Sequence, residues 1–444
     1  MIRFGFAKED ITPTRGIALC GYFEPRPNRG ALDPLNIRAA VFECNGKVSG
    51  IVNYDLCLFD RKLVTRFQQA IAAQGLDFAD RLLFGCTHTH TGPYTSPLFD
   101  GPTDEAYLQM VVDKTASAVC RAYASLGEAE LLTGRTTCAN LAFNRRFWMK
   151  DGTVLTNPGK LNPDIVKPEG DIDPEIPLLA VRQDGMLRLL VANISNHTDT
   201  IGGDLVSADW PGRMEREIQN AVGYDLPVIT LLACQGNINH FNVENNVDQT
   251  NYGEACRIGK GYAAAIISEL YALKPISIED IEVETLEFEA PCYQVTDKEY
   301  NEAKAIYDSI GEVKAQTADD LTSEGIAKGN AYVKRFFAKA LMDNRDNPLQ
   351  GKRMELMLAM RFGKELGIVS IPAEPFIEIQ HAIKATSTFR KTMVAALSMG
   401  EIGYVGMPES YTRGGGYETR PGRTSPAHDL APKIIDLANG LLNR

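Results

Sequence analysis

The feature that most constrains the fold of this chain is the alternation of apolar, strand-like runs with helical patterns over residues 1–270. Strands that alternate with helices are typical of α/β folds. The pattern predicts strands over 50–58, 189–194 and 226–233, and amphipathic helices over 61–74 and 209–222. Ser207, as a capping residue, and the early Pro211 mark the start of the second helix. With 444 residues, 44% of them hydrophobic, the chain can bury a sizeable core.

The composition changes in the second half of the chain. Residues 296–345 are dominated by Lys, Glu, Ala and Asp, and we predict two or more exposed helices that form an insertion. This insertion is either a lid or a solvated helical hairpin, and the sequence favours neither. Residues 367–371 are a strand candidate, residues 401–423 have the composition of a loop, and residues 431–442 predict a closing helix.

Charge and cysteine usage limit the partners. The formal net charge of -11 and the scarcity of basic clusters disfavour nucleic acid and anionic membrane surfaces. No segment approaches the roughly 20 apolar residues of a membrane helix, and residues 1–10 lack the apolar core of a signal peptide. The nine cysteines are scattered singly, as expected for reduced thiols. We therefore expect a cytoplasmic protein without a stable membrane anchor that acts on a small molecule.

Two of the six histidines, His88 and His90, lie one residue apart where an apolar run gives way to the turn residues Gly92-Pro93. If the extended strand geometry continues through this segment, both side chains point the same way. One imidazole can then bind a metal while the other carries a proton beside it. An isolated pair of this kind is equally compatible with a structural role.

Further candidate active-site residues follow other predicted strands. His197 comes after the strand at 189–194, and His240 comes after the strand at 226–233. Four of the six histidines thus follow strand ends, where α/β folds gather their active sites. A catalytic zinc site combines a few protein ligands with an open position for water. Glu374, held between Pro372 and Pro375, is the best carboxylate candidate, although a surface-loop role is as compatible with the sequence.

Several motifs resemble the catalytic domain of the neutral/alkaline, non-lysosomal ceramidases. They occur in family order from about residue 5 to residue 420: Asp10-Ile11-Thr12-Pro13, Gly21-Tyr22, Thr87-His88-Thr89-His90-Thr91-Gly92-Pro93, Asn196-His197-Thr198, Gln235-Gly236-Asn237, Pro372-Ala373-Glu374-Pro375, and the pattern Tyr404, Glu409-Ser410-Tyr411, Tyr417-Glu418. The resemblance implies an α/β fold of mixed β-sheets flanked by helices. Residues 1–444 would form a single catalytic domain, with 296–345 as a helical insertion or lid within it.

The resemblance also implies roles for individual residues. The positions that match the zinc ligands of the family are His88, His197, Glu374 and Tyr404. His90 matches the general acid/base, and Arg145 matches an arginine that contacts the reacting carbonyl region. Tyr417 matches a second active-site tyrosine, with Tyr411 as the alternative. Asp199, Asp209 and Asn196 remain alternative candidates for orienting a ligand histidine.

Together these matches predict a zinc-dependent amidohydrolase that cleaves an N-acyl bond with metal-activated water, acting on a small molecule or an N-acylated substrate. Zinc lowers the pKa of bound water and polarises a carbonyl, which suits this residue set. The chain departs from the family at Arg146, where a serine is expected, and we do not expect the additional C-terminal β-sandwich domain of these ceramidases. It also departs after His197, where Thr-Asp-Thr-Ile-Gly-Gly replaces the more usual asparagine-rich turn of the family. The charge and the glycines of this segment disfavour a long-chain sphingoid pocket.

Other functions remain open on the sequence. The same metal could act on a small polar or sugar-like substrate by lactone or ester hydrolysis, isomerisation or elimination. A non-catalytic binding protein with an eroded site is disfavoured by the joint presence of the candidate site residues. A serine-nucleophile hydrolase is weaker still, because no GxSxG elbow follows a predicted strand.

Overall fold

In the computed structural model, which describes residues 2–98, 101–313, 329–346, 351–422 and 425–443, nine strands form the larger of two main sheets. Their order is Val228–Leu232, Met186–Ile194, Glu175–Gln183, Gly127–Thr137, Ile2–Asp10, Asn36–Cys44, Lys47–Tyr54 and Leu82–Cys86, with Lys274–Pro275 paired to Gly127–Thr137. Neighbours are antiparallel except for the pair at each end of this order, which is parallel. The mixed α/β fold class predicted from the sequence is confirmed.

The smaller sheet has the strand order Ile281–Pro291, Lys352–Phe362, Leu366–Ile371 and Lys391–Ala396, and its last pair is parallel. Short ladders complete the strands: Ala18–Leu19 with Arg26–Pro27, Gly30–Ala31 with Leu205–Val206, Phe143–Asn144 with Ile238–Asn239, Glu374–Pro375 with Tyr404–Val405, and Arg146–Met149 between Val154–Thr156 and Ile165–Pro168. The fourth of these ladders carries the candidate site residues Glu374 and Tyr404, and the third ends directly before Arg145.

Helices flank both sheets. Those within the described residues are Arg61–Ala72, Glu105–Ala124, Asp209–Val222, Tyr252–Glu269, Asp297–Ile310, Ala331–Arg345, Ile377–Thr386, Pro408–Arg413 and Leu430–Leu442, with one 3-10 turn at Ala79–Arg81. Side-chain caps start several of them, since Asp60 and Asp104 each accept a hydrogen bond from a first-turn amide. Among the described residues, no helix combines the length and apolar character needed to cross a membrane. All nine cysteines are free.

The three long parallel strand pairs meet at one place, and two buried asparagines join them. The Asn53 side-chain amide donates to the carbonyl oxygens of Gly85 and Thr230, each at 3.2 Å. The Asn193 amide donates to the oxygens of Leu231 at 2.9 Å and Val394 at 3.0 Å, and its oxygen accepts from the Val394 amide at 3.1 Å. The carboxyl ends of these strands therefore lie in a common region between the two sheets.

Most predicted elements are confirmed to within a few residues. The helix at 209–222 is observed over Asp209–Val222, and the insertion contains the helices Asp297–Ile310 and Ala331–Arg345. Residues 314–328 of that insertion lie outside the described residues.

Two predictions about local structure are wrong. Residues 401–423 are not all loop, because Pro408 at a first-turn position starts the short helix Pro408–Arg413. Ser207 does not cap its helix. The cap position is Ala208, and the Ser207 hydroxyl lies one residue too early, where it accepts from the Asp209 amide at 2.9 Å.

Replacing Asn193 by alanine tests whether the asparagine bridges hold the sheets together. We expect Asn193→Ala to lower the free energy of unfolding by at least about 2 kcal/mol, since each buried group left without a partner costs roughly 1–3 kcal/mol. Denaturant unfolding measures the change, with Asn220→Ala, on an exposed helix position, as the control. A loss no larger than that of the control would contradict the bridging role.

Candidate metal centre and active site

His88 lies two residues beyond the strand Leu82–Cys86 and has a left-handed backbone, with φ of 65°. The expected continuation of extended geometry through this segment is therefore wrong. The chain leaves the sheet because its parallel partner ends at Tyr54, and the His88 amide donates instead to the Leu56 carbonyl at 2.9 Å. The consequence drawn from that geometry still holds, since the Nε2 atoms of His88 and His90 lie 3.2 Å apart.

Backbone carbonyls fix the orientation of two buried imidazoles. His88 Nδ1 lies 2.7 Å from the carbonyl oxygen of Cys57, and His197 Nδ1 lies 3.3 Å from that of Gln235. A carbonyl oxygen only accepts, so in each neutral ring Nδ1 carries the hydrogen and Nε2 presents a lone pair. These lone pairs point into the same space, because the two Nε2 atoms are 3.1 Å apart.

A buried carboxylate completes this cluster. Glu374 Oε2 lies 3.2 Å from His88 Nε2 and 3.6 Å from His197 Nε2, and none of the described residues donates a hydrogen bond to it. A tetrahedral zinc with ligand distances of about 2.0–2.1 Å holds its ligand atoms about 3.3 Å apart. The three separations of 3.1, 3.2 and 3.6 Å match that spacing, so His88, His197 and Glu374 can hold a divalent metal ion without rearrangement.

The electrostatics of the cluster also favour a cation. Burial lowers the pKa of His88, but the adjacent Glu374 carboxylate outweighs it and raises this pKa above the ordinary 6.5. Burial likewise raises the pKa of Glu374, and His88 and Arg145 reverse that effect and hold the carboxyl ionised. The site therefore attracts positive charge, which a metal ion supplies more strongly than a proton.

Tyr404 is brought to the cluster by a two-residue parallel ladder. In this ladder Glu374 pairs directly with Tyr404, and the Glu374 amide donates to the Gly403 carbonyl at 3.0 Å. Burial, and next the charge of Glu374, raise the pKa of the Tyr404 hydroxyl. The ladder therefore places Tyr404 beside Glu374, and the nearby Arg145 guanidinium opposes the rise in this pKa.

His90 lies at the edge of the cluster. Its side chain is 12% exposed, whereas those of His88 and His197 are 2% exposed. Its Nδ1 faces Asp199 Oδ1 at 3.6 Å, and Asp199 also accepts a hydrogen bond from Tyr22. Burial, and next the neighbouring His88, lower the pKa of His90, so that its ring stays neutral and can accept a proton.

Arg145 and Tyr417 lie on the other side of Tyr404. The Arg145 guanidinium lies 5.5 Å from the Tyr404 ring centre and 5.1 Å from that of Tyr417, and it donates to the Gly236 carbonyl at 2.6 Å. Burial alone lowers the pKa of Arg145, but Tyr417, Tyr404 and Glu418 outweigh it, so the cation persists. Tyr411, the alternative to Tyr417, instead stacks on His428 with ring centres 4.0 Å apart, and its hydroxyl accepts from the Gly406 amide.

Other sequence candidates are not part of the cluster. His240 is fully buried and its Nε2 lies 2.7 Å from the Gln249 carbonyl, as in a structural histidine. Asn196 donates to Leu141 and Tyr262, and Asp209 accepts from Thr200 and Trp210, so neither contacts a ligand imidazole ring.

Three partners of the site were given no role from the sequence. They are Tyr22, which donates to Asp199, and the carbonyls of Cys57 and Gln235. Tyr22 follows Gly21, whose missing side chain leaves room for the His90 ring, and this dipeptide was the available signal. A backbone carbonyl carries no signal of its own, because every residue has one.

These sheets and their shared strand ends define a neutral-ceramidase-like fold. The chain is similar to the crystal structure of the neutral ceramidase from Pseudomonas aeruginosa, with a TM-score of 0.72 and 19% sequence identity. It is similar to a ceramidase complexed with C2 at a TM-score of 0.74 and 19% identity, and both matches cover 100% of this chain and 75% of the other. No protein-family model matches the chain, and no significant match to a curated protein was found. The resemblance drawn from the motifs is therefore confirmed for the fold.

Metal analysis of purified variants tests the cluster. We expect about one divalent ion per chain, and we expect His88→Ala and Glu374→Ala to lose it, because each removes one of a small ligand set. His381→Ala, on the helix Ile377–Thr386, is the matched control and should keep the ion. Full metal content in His88→Ala would contradict the assignment, as would a wild-type protein that binds no metal.

Proposed function

We propose that this protein is a zinc-dependent hydrolase that cleaves an amide, N-acyl bond in a small-molecule or N-acylated substrate. The observation that carries this proposal is the convergence of the His88 and His197 lone pairs on the Glu374 carboxylate at the spacing of a tetrahedral zinc site. The neutral-ceramidase-like fold supports it, since two solved proteins with this fold are named as ceramidases. His88, His197, Glu374 and Tyr404 would hold the metal. When bound, zinc lowers the pKa of water towards about 7 and polarises a carbonyl.

His90 is the proton carrier in this proposal. Its ring is neutral, partly exposed and 3.2 Å from a proposed ligand, so it can take a proton from water at the centre and return it to the leaving amine. Asp199 faces its other nitrogen and stabilises the imidazolium that forms between these two transfers. The same pair of groups therefore serves both directions of proton transfer.

Arg145 and Tyr417 would stabilise the oxyanion that develops as the amide carbonyl is attacked. Both groups are preorganised, because Arg145 is fixed by the Gly236 carbonyl and Glu418, and Tyr417 packs beside Arg145. A preorganised donor of this kind contributes roughly a hundredfold to a thousandfold in rate in other hydrolases. We further propose that residues 1–444 act as one catalytic domain in the cytoplasm, with 296–345 as a helical insertion or lid within it.

Replacing His90 separates proton transfer from metal binding. We expect His90→Gln to lower kcat on an N-acylated amine by about 10²–10⁴-fold, the range of general acid–base catalysis, while the metal content is unchanged. His381→Gln should keep both. Unchanged hydrolysis in His90→Gln with metal bound would exclude the assigned role.

Hydrolysis in heavy-oxygen water tests the reaction class. We expect one labelled oxygen in the released carboxylate and loss of turnover on chelation, because the attacking group is water. An unlabelled product would instead support isomerisation or elimination at the same metal. Full activity in a metal-free preparation would remove the zinc mechanism altogether.

A further inference from the structure

Arg146, the neighbour of Arg145 in the chain, is buried and surrounded by acceptors from distant segments. Its guanidinium forms an ion pair with Glu169 and another with Glu418 Oε2, the second at 3.1 Å. It also donates to the carbonyl oxygens of Gly415 at 2.9 Å and Gly414 at 3.4 Å. The Arg146 side chain therefore binds the backbone of a loop that lies about 270 residues further along the chain.

The loop that receives Arg146 is built from three consecutive glycines. Gly414, Gly415 and Gly416 have φ of 68°, 74° and 70°, a left-handed run that other residues rarely adopt. A Cβ on Gly415 would overlap the Val154 carbonyl, and a Cβ on Gly416 would overlap the Arg146 guanidinium and the Glu418 carboxylate. Because these glycines have no side chains, the loop backbone can approach the Arg146 guanidinium closely.

This loop leads directly to Tyr417 and Glu418. Glu418 is fully buried, and its two oxygens divide their partners: Oε1 lies 2.9 Å from Arg145 Nε, while Oε2 faces Arg146 and accepts from the Thr156 hydroxyl at 2.6 Å. The carboxylate is thus shared between the arginine that faces the metal centre and the arginine that holds the loop. A shift of Arg146 moves both Glu418 and Tyr417.

We propose that Arg146 is a positioning residue, which sets the placement of Arg145 and Tyr417 through Glu418 and the glycine loop 414–416. The Arg146 guanidinium lies over the Phe376 ring, 5.4 Å from its centre, and its five N–H donors are used by Glu169, Glu418 and the loop carbonyls. Its effect on catalysis is therefore transmitted through other groups. This proposal rests on the proposed function for its kinetic consequences, but not for its structural ones.

The zinc-loaded variants Arg146→Met and Arg146→Lys test this role by steady-state kinetics on an N-acylated amine. Misplacement of catalytic groups by about 1 Å can cost roughly 100-fold, so we expect Arg146→Met to lower kcat by about this factor while KM changes little and the metal content is unchanged. Arg146→Lys should restore only part of the rate, since an ammonium cannot reproduce the planar fork. Arg413→Met, which removes another partner of Glu169 at 3.2 Å, is the matched control and should keep the parent kcat.

A second readout does not depend on activity. Amide hydrogen exchange over residues 414–420 should accelerate in Arg146→Met and remain at the parent rate in Arg413→Met. If the parent hydrolyses no amide, the proposed function fails while the exchange experiment still decides the positioning role. If Arg146→Met does not fold, Glu418→Gln and Gly416→Ala perturb the same contacts and carry the kinetic test. Parent-like kcat and parent-like exchange in a folded Arg146 variant would overturn the proposal.

Discussion

The structure depends on the placement of three acceptors against one another: the Nε2 lone pairs of His88 and His197 and the Glu374 carboxylate. Their mutual separations of 3.1–3.6 Å are unfavourable in a buried site unless a cation lies among them. The Cys57 and Gln235 carbonyls prevent the two rings from turning away, because each holds an Nδ1 hydrogen. The surrounding fold resists the relaxation that would separate the three groups.

That resistance comes from the parallel strand pairs. His88 follows the end of Leu82–Cys86, His197 follows Met186–Ile194, and Glu374 follows Leu366–Ile371, and each of these strands belongs to a parallel pair. Asn53 joins the two end pairs of the larger sheet to each other, and Asn193 joins the larger sheet to the smaller one. The proposed ligands therefore follow the ends of buried strands, which fixes the geometry of the cluster in the absence of a metal.

Local patterns in the sequence were sufficient for most of the elements, and the motifs singled out His88, His197 and Glu374, which the structure brings together. Buried strands and the helix Asp209–Val222 were predictable because their apolar spacing is local. The left-handed backbone of His88 was not, since it follows from where a partner strand ends. Arg146 was noted only as a departure, because two of its acceptors are glycine carbonyls 268 and 269 residues away and Glu418 lies 272 residues away. A backbone carbonyl has no signal in the sequence, and a carboxylate so far along the chain cannot be paired with Arg146 from the sequence alone.

X-ray absorption at the zinc edge of the purified protein tests the proposed metal centre, because it reports the ligand atoms around the ion. We expect one zinc per chain bound by two imidazole nitrogens and by oxygens from Glu374 and Tyr404, at about 2.0–2.2 Å. Replacing Tyr404 by phenylalanine should remove one oxygen from that shell and leave both imidazoles. A folded protein with no bound metal, or with sulfur in the shell, would rule out this centre.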